Sequence, residues 1–172
     1  NKNIDIAVEF GIPSLIGFSG DRNGLPDDEG IDICAEGLKR VTAKAEAKGI
    51  TICVELLNSK VDHADYQCDN TPWGVQLCEA VGSPRVKLLY DIYHMQIMEG
   101  DLAPTIERLK DRIPHFQLAD NPGRNEPGTG EINYPYLFSF IDGLGYDGWI
   151  GCEYKPAGVT EDGLGWASEL LG

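Results

Sequence analysis

Short apolar runs alternate with longer amphipathic stretches along the whole chain, and this alternation restricts it to a parallel α/β fold. Asn1 to Gly11 reads as the end of a helix, with Ile4, Ala7, Val8 and Gly11 on one face. Ser14 to Phe18 reads as a buried strand, Ser19 to Gly30 as a loop, and Ile31 to Lys48 as a helix stopped by Gly49. Ile50 to Leu57 is a second strand and Asn58 to Asn70 a polar loop. Thr71 fits an N-cap with Pro72 at the first helical position of a helix to about Val81. Strands follow at Val86 to Asp91, His115 to Leu118 and Trp149 to Glu153. Helices are expected at Leu102 to Ile113 and Tyr134 to Leu144, with Ala119 to Ile132 a long Gly/Pro loop. The tail from Tyr154 leaves room for one last helix.

An open doubly wound sheet and a (β/α)8 barrel share this order. No G-x-G-x-x-G follows a strand, so the dinucleotide fingerprint is missing. The 172 residues suit a single domain holding about five βα units. A full barrel takes about 250 residues, so about three units would lie on the N-terminal side.

The polar residues fall at telling places. Glu55, Asp91, Gln117 and Glu153 each stand at or near the C-terminal end of a strand. A carboxylate within a buried strand is costly unless paired or bound to a cation. In parallel α/β folds that end of the strands is where active sites are built. Strands about 4.8 Å apart would let the four side chains converge. Three carboxylates and one amide oxygen form a hard oxygen set suited to Mg2+ or Mn2+. The plainer alternative for any one of them is a bond to a neighbouring Lys or to backbone N–H.

Other groups cluster after the same strand ends. His94 follows Asp91 by three residues, in the expected loop past the strand, where it could meet a substrate oxygen or join the metal shell. His63 lies in the loop after Glu55, Arg124 in the Gly/Pro loop, and Lys155 two residues after Glu153. Arg124 could hold a substrate carboxylate bidentately, and Lys155 could bind an anion or balance the acidic pocket. His115 begins a strand beside Pro114 and reads as structural.

Composition excludes some partners. The net charge of −14 argues against nucleic acid, because phosphate neutralisation needs clustered Lys and Arg. No apolar run approaches a membrane span, and no secretory or transit pattern opens the sequence, although it starts without Met. The five cysteines show no CxxC spacing, and Cys53 and Cys152 lie in apolar runs where buried reduced thiols are expected. This favours a reducing cytoplasm over a disulfide scaffold. The acidic surface and a tail with Trp166, Leu170 and Leu171 leave room for a homo-oligomer.

Several segments resemble the xylose-isomerase-like barrel superfamily, and most closely the hydroxypyruvate isomerase family. They are Val54-Glu-Leu-Leu-Asn58, Asp91-Ile-Tyr-His94-Met-Gln96, His115-Phe-Gln-Leu-Ala-Asp-Asn-Pro-Gly-Arg124, Glu126-Pro-Gly-Thr-Gly-Glu131-Ile-Asn-Tyr134 and Gly151-Cys-Glu-Tyr-Lys-Pro156. Gln117 favours this family, because related epimerases usually carry His at that strand. The resemblance implies a partial (β/α)8 barrel in which Glu55, Asp91, Gln117 and Glu153 bind the metal. Glu55 and Glu153 would also be the acid/base pair for isomerising hydroxypyruvate, or a 2-oxo acid such as 2-oxo-tetronate, through an enediolate. His94, Arg124, Lys155 and His63 would bind substrate. Other enzymes with the same cradle, a ketose 3-epimerase or a sugar-acid dehydratase, remain alternatives, as does a truncated barrel that only binds metal. An endonuclease of this barrel type would need a histidine-rich multi-zinc site, and the chain has three His.

Overall fold

Every strand pairs with its neighbour in sequence, and this decides between the two architectures. In the computed structural model five parallel strands lie in the order β1-β2-β3-β4-β5. They are β1 Ser14–Gly17, β2 Thr51–Glu55, β3 Val86–Asp91, β4 His115–Leu118 and β5 Trp149–Cys152. A doubly wound sheet reverses its strand order at a switch point. A run in strict sequence order, each crossover right-handed, curls one way and makes part of a barrel. The helices are α1 Lys2–Glu9, α2 Asp27–Lys48, α3 Thr71–Val81, α4 Ile92–Met98, α5 Leu102–Leu109, α6 Tyr134–Gly143 and α7 Gly165–Leu171. The structure describes residues 1–171, with side chains through Ser168.

The pairing register sorts the strand residues into two faces. Cys53 pairs with Lys87, Glu55 with Leu89, Asp91 with Gln117, and Gln117 with Gly151. Because side chains alternate, Glu55, Asp91 and Gln117 share one face, the concave interior of the half-barrel. The other face carries Ile52, Val54, Val86, Leu88, Tyr90, Phe116 and Leu118, all buried in the core with the helices. Hence β2 and β3 read as nearly continuous apolar runs broken by one carboxylate each.

Local chemistry explains most boundaries. Gly49 ends α2 with φ 70°, the left-handed turn that glycine adopts without a Cβ penalty. α2 starts at Asp27, four residues before the expected Ile31, because Asp27, Asp28 and Glu29 fill its first turn and favour the positive helix end. Gly30, which reads as a loop residue, is inside that helix. The cap of α3 is Asn70 rather than Thr71: its side chain accepts from the Trp73 N–H at 2.9 Å. α4 occupies what the sequence suggests is a loop, so His94 is helical; Asp91 caps that helix by accepting from the His94 N–H at 3.1 Å.

The concave face is open at its lower part, and several apolar expectations fail there and elsewhere. Ile16 and Phe18 are exposed although the first strand reads as buried, and so is Trp149 on β5. With Ile12, Cys53 and His115, Ile16 and Trp149 line a cavity of about 420 Å³. His115 is half-buried there, its ring close to Gly151, in keeping with a structural role. On α1, Ile4 and Ala7 are buried but Val8 is exposed. Cys152 is exposed rather than buried, because it lies on an edge strand; all five cysteines are free. Trp166 packs on its own chain, its Nε1–H donating to the Tyr154 hydroxyl at 3.2 Å. The side chains of Leu170 and Leu171 lie outside the described residues. No helix among the described residues is long and apolar enough to cross a membrane.

Candidate active site

Three expected residues meet at the C-terminal ends of the central strands. Glu55 is the last residue of β2 and Asp91 the last of β3. One ligand atom from each, with one ring nitrogen of His94, lie within 4.8 Å of one another, and all three residues are buried. Gln117 joins them from β4 by its register with Asp91 and is buried too.

The electrostatics of this cluster are unfavourable in the protein alone. Burial, then the charges of Asp91 and Glu153, push the Glu55 carboxyl up to about 8. Burial likewise pushes Asp91 up to about 7, against the hydrogen bond it accepts from the His94 N–H. Burial first, then Arg124 and His63, hold His94 down at about 3. Asp91 Oδ2, His94 Nε2 and Gln117 Oε1 are buried with no hydrogen-bond partner. Buried polar atoms are nearly always paired, so three orphans in one place mark a site built for something else. Two are oxygens beside a second buried carboxylate, and that donor set fits a hard divalent cation.

Glu153 stands apart from this cluster. It lies one residue beyond β5, exposed, and its Oε2 accepts from Arg124 Nη2 at 2.6 Å. In the sequence all four acceptors look alike; the structure buries three and leaves the fourth at the rim in an ion pair. Arg124 is held by that pair and by its guanidinium lying 5.2 Å from the centroid of the Tyr93 ring. Lys155 is exposed, and its ammonium forms no ion pair among the described residues. Its backbone does position the site, because its N–H donates to the Arg124 carbonyl at 2.8 Å. His63 is half-buried with its ring 5.3 Å from that of His94, edge to face.

Four contributors escape the sequence reading. Asn58, fully buried, accepts from the N–H groups of Val61 at 3.0 Å and Asp62 at 2.8 Å. Asp62 Oδ2 accepts from Asn58 Nδ2 at 2.7 Å and from the Tyr93 hydroxyl at 2.9 Å. Burial pushes the Asp62 carboxyl up, but these two donors, with the charges of His94 and Arg124, hold the group below its ordinary range. Asp120, also fully buried, organises the Gly/Pro loop: Oδ1 accepts from the N–H groups of Asn121 and Ile132, and Oδ2 from those of Gly128 and Gly130. The D-x-x-H spacing points to Asp91 and His94 alone; Asn58 and Asp62 lie more than 30 positions from their partners His94 and Tyr93. Nothing in a single sequence distinguishes Asp120 from any other loop acid.

Gly130 shows how tightly that loop is drawn. A Cβ there would lie 2.1 Å from the Asn121 carbonyl oxygen and 2.6 Å from Asp120 Oδ1. Gly130→Ala is therefore expected to cost about 2–4 kcal/mol of stability, because backbone must move and an Asp120 hydrogen bond goes with it. Urea unfolding monitored by fluorescence measures this; a change within about 0.5 kcal/mol would show the loop to be loosely held.

The chain's sequence and fold have counterparts among known proteins. A family model described as xylose isomerase-like TIM barrel matches residues 1–170. A 2-oxo-tetronate isomerase of Cupriavidus necator is 44% identical over 137 residues, which are 80% of this chain and 52% of that protein. The hydroxypyruvate isomerase of Escherichia coli K12 is 50% identical over 114 residues, 64% of this chain and 44% of that one. The chain thus spans about half the length of these curated relatives. A crystal structure titled AP endonuclease, family 2, from Brucella melitensis superposes with a TM-score of 0.89 at 38% identity, covering 98% of this chain and 66% of that one.

Proposed function

The chain belongs to the xylose isomerase-like TIM barrel family, and on that footing we propose that it supplies the catalytic end of a divalent-metal-dependent isomerase acting on hydroxypyruvate or a close homologue such as 2-oxo-tetronate. The observation that carries the proposal is the set of buried, unpartnered acceptors, Asp91 Oδ2 and Gln117 Oε1, beside the buried Glu55 carboxyl. Glu55, Asp91 and Gln117, with Glu153 brought in from the rim, would hold Mg2+ or Mn2+. The cation would act as a Lewis acid on the substrate's carbonyl and neighbouring hydroxyl oxygens.

The chain's own groups do the rest. Glu55 on β2 and Glu153 past β5 belong to opposite sides of the half-barrel, with β3 and β4 between them. One takes the proton from C3 of hydroxypyruvate, leaving an enediolate, and the pair returns a proton to C2 while the hydroxyl proton passes from O3 to O2. The product is the aldehyde isomer, with atoms and charge balanced. Arg124, already at the rim against Glu153, offers a fork for the substrate carboxylate. Lys155, whose backbone bonds to Arg124, and His63, beside the His94 ring, would complete the expected binding set. The charge of −14 and only three His weigh against nucleic acid as the substrate, and five free cysteines suit the cytoplasm.

The test is turnover of hydroxypyruvate with Mg2+ or Mn2+, the product identified by NMR. Tartronate semialdehyde supports the proposal. No isomerisation of hydroxypyruvate or 2-oxo-tetronate, with epimerisation of a ketose at C3 instead, overturns it.

Metal binding should depend on pH in a defined direction. Glu55 and Asp91, raised to about 8 and about 7, both carry protons part of the time near neutrality. A cation needs them ionised, so binding must release protons and the apparent affinity must rise from about pH 6 to about pH 8. Calorimetry in buffers of different ionisation enthalpy measures the release. An affinity flat across that range would place the cation elsewhere.

A further inference from the structure

The hydrogen bonds around Asn58 fix more than a loop. Its Oδ1 accepts from two backbone N–H groups, those of Val61 and Asp62. Those donors cannot be inverted, so the orientation of the amide is settled: Oδ1 faces the backbone and Nδ2 faces away. Nδ2 carries two hydrogens. One goes to Asp62 Oδ2 at 2.7 Å and the other points at His94 Nδ1 at 2.6 Å. A nitrogen facing an amide N–H must present its lone pair, so Nδ1 holds no proton. In a neutral imidazole the proton is then on Nε2.

Nε2 is the atom that looks into the cleft. It is buried, has no hydrogen-bond partner, and lies 3.8 Å from Asp91 Oδ2, itself unpartnered. Distance alone groups His94 with Glu55 and Asp91 as a cation-binding trio. The amide contradicts that grouping, because the only free lone pair on the ring already accepts from Asn58.

We infer that Asn58 is a positioning residue that locks His94 in the Nε2–H tautomer, making it a neutral hydrogen-bond donor to a substrate oxygen rather than a metal ligand or a base. The tautomer follows from the chain's own contacts; only the identity of the oxygen rests on the proposed isomerase reading. A fixed neutral donor aimed at an oxygen that gains charge along the reaction lowers the barrier without taking a proton. Asp62 and Tyr93 complete the frame: Tyr93 donates to the same Asp62 oxygen that receives the other Asn58 hydrogen. Asn58 therefore has no unused group and no freedom to rotate.

The experiment is 15N NMR of the histidine-labelled protein with Mg2+ present, the three His resonances assigned by substitution, alongside kinetics of Asn58→Asp. Aspartate keeps the two acceptor contacts but has at most one proton for Asp62 and His94 together. The inference predicts the Nε2–H tautomer for His94 in the unsubstituted protein and its loss in Asn58→Asp. It also predicts a fall in kcat of about 10–100-fold with KM and Mg2+ affinity little changed. An Nδ1–H tautomer or an imidazolium in the unsubstituted protein overturns it, and so does an Asn58→Asp protein that keeps both the Nε2–H tautomer and kcat. If Asn58→Asp does not fold, the tautomer in the unsubstituted protein decides. If hydroxypyruvate is not a substrate, the NMR arm still decides, so the failure of one reading is separable from that of the other.

Discussion

Replacing Glu55 by Gln is expected to abolish most isomerase turnover, by roughly 10²–10⁴-fold, and to make the chelator-treated protein more stable at neutral pH. Both effects have one cause. Glu55 is 3% exposed, and burial raises its carboxyl from 4.5 to about 8. In the unfolded chain the group is ionised above about pH 4.5, whereas the folded chain without metal keeps it neutral up to about pH 8. A carboxyl raised on folding helps stability most below its unfolded value, and that help is lost as pH rises through its folded value. Glutamine is neutral in both states and shows no such loss. The difference in stability between variant and parent should therefore widen from about pH 5 to about pH 8, reaching a few kcal/mol. Thermal unfolding in chelator across that range, paired with turnover in metal, measures both. A variant less stable than the parent throughout would mean that Glu55 is structurally satisfied and that its burial serves the fold.

The second large effect concerns a residue that touches no substrate. Asp120→Asn should destabilise the protein by about 3–5 kcal/mol and expose the segment from 120 to 132 to proteolysis. Each carboxylate oxygen accepts from two N–H groups, at distances from 2.9 to 3.1 Å. An amide can offer an oxygen to only one of those pairs and turns its own N–H groups on the other. The loop that Asp120 holds carries Arg124, so the KM for a carboxylate substrate should rise as well. Denaturant unfolding and limited proteolysis report the first effect, and kinetics the second. Unchanged protease resistance would show that the Gly/Pro loop is held instead by its bonds to Glu153, Lys155 and Ala157, in the segment after β5.

The parts of the fold that were legible in the sequence are those set by periodicity. β3 and β4 fall on their expected residues because each is an apolar run bounded by turn residues. The strand-end carboxylates were legible because a charge in such a run is conspicuous. Glu153 was legible as a candidate but not as an exposed partner of Arg124, since strand ends look alike in sequence whether they lie at the centre of a sheet or at its edge. Ile16 and Phe18 misled for the same reason: an apolar run says that a face is to be covered, not that this stretch of chain covers it. α4 is only seven residues long and begins on Asp91 itself, so its helical pattern was hidden inside a motif read for chemistry. The roles of Asn58 and Asp62 come from contacts with His94 and Tyr93 more than 30 positions away, which no local pattern records.

The central claim is that the strand ends hold a divalent cation. Mn2+ titration followed by electron paramagnetic resonance tests it, comparing the protein with Asp91→Asn. Asp91 is fully buried and leaves one oxygen unpartnered, so the substitution removes the charge without changing the shape. The account predicts saturable Mn2+ binding in the parent. It predicts that this binding is lost in Asp91→Asn, while circular dichroism and cooperative thermal unfolding are preserved. Equal Mn2+ affinity in the two proteins would contradict it and place the cation away from Glu55, Asp91 and Gln117.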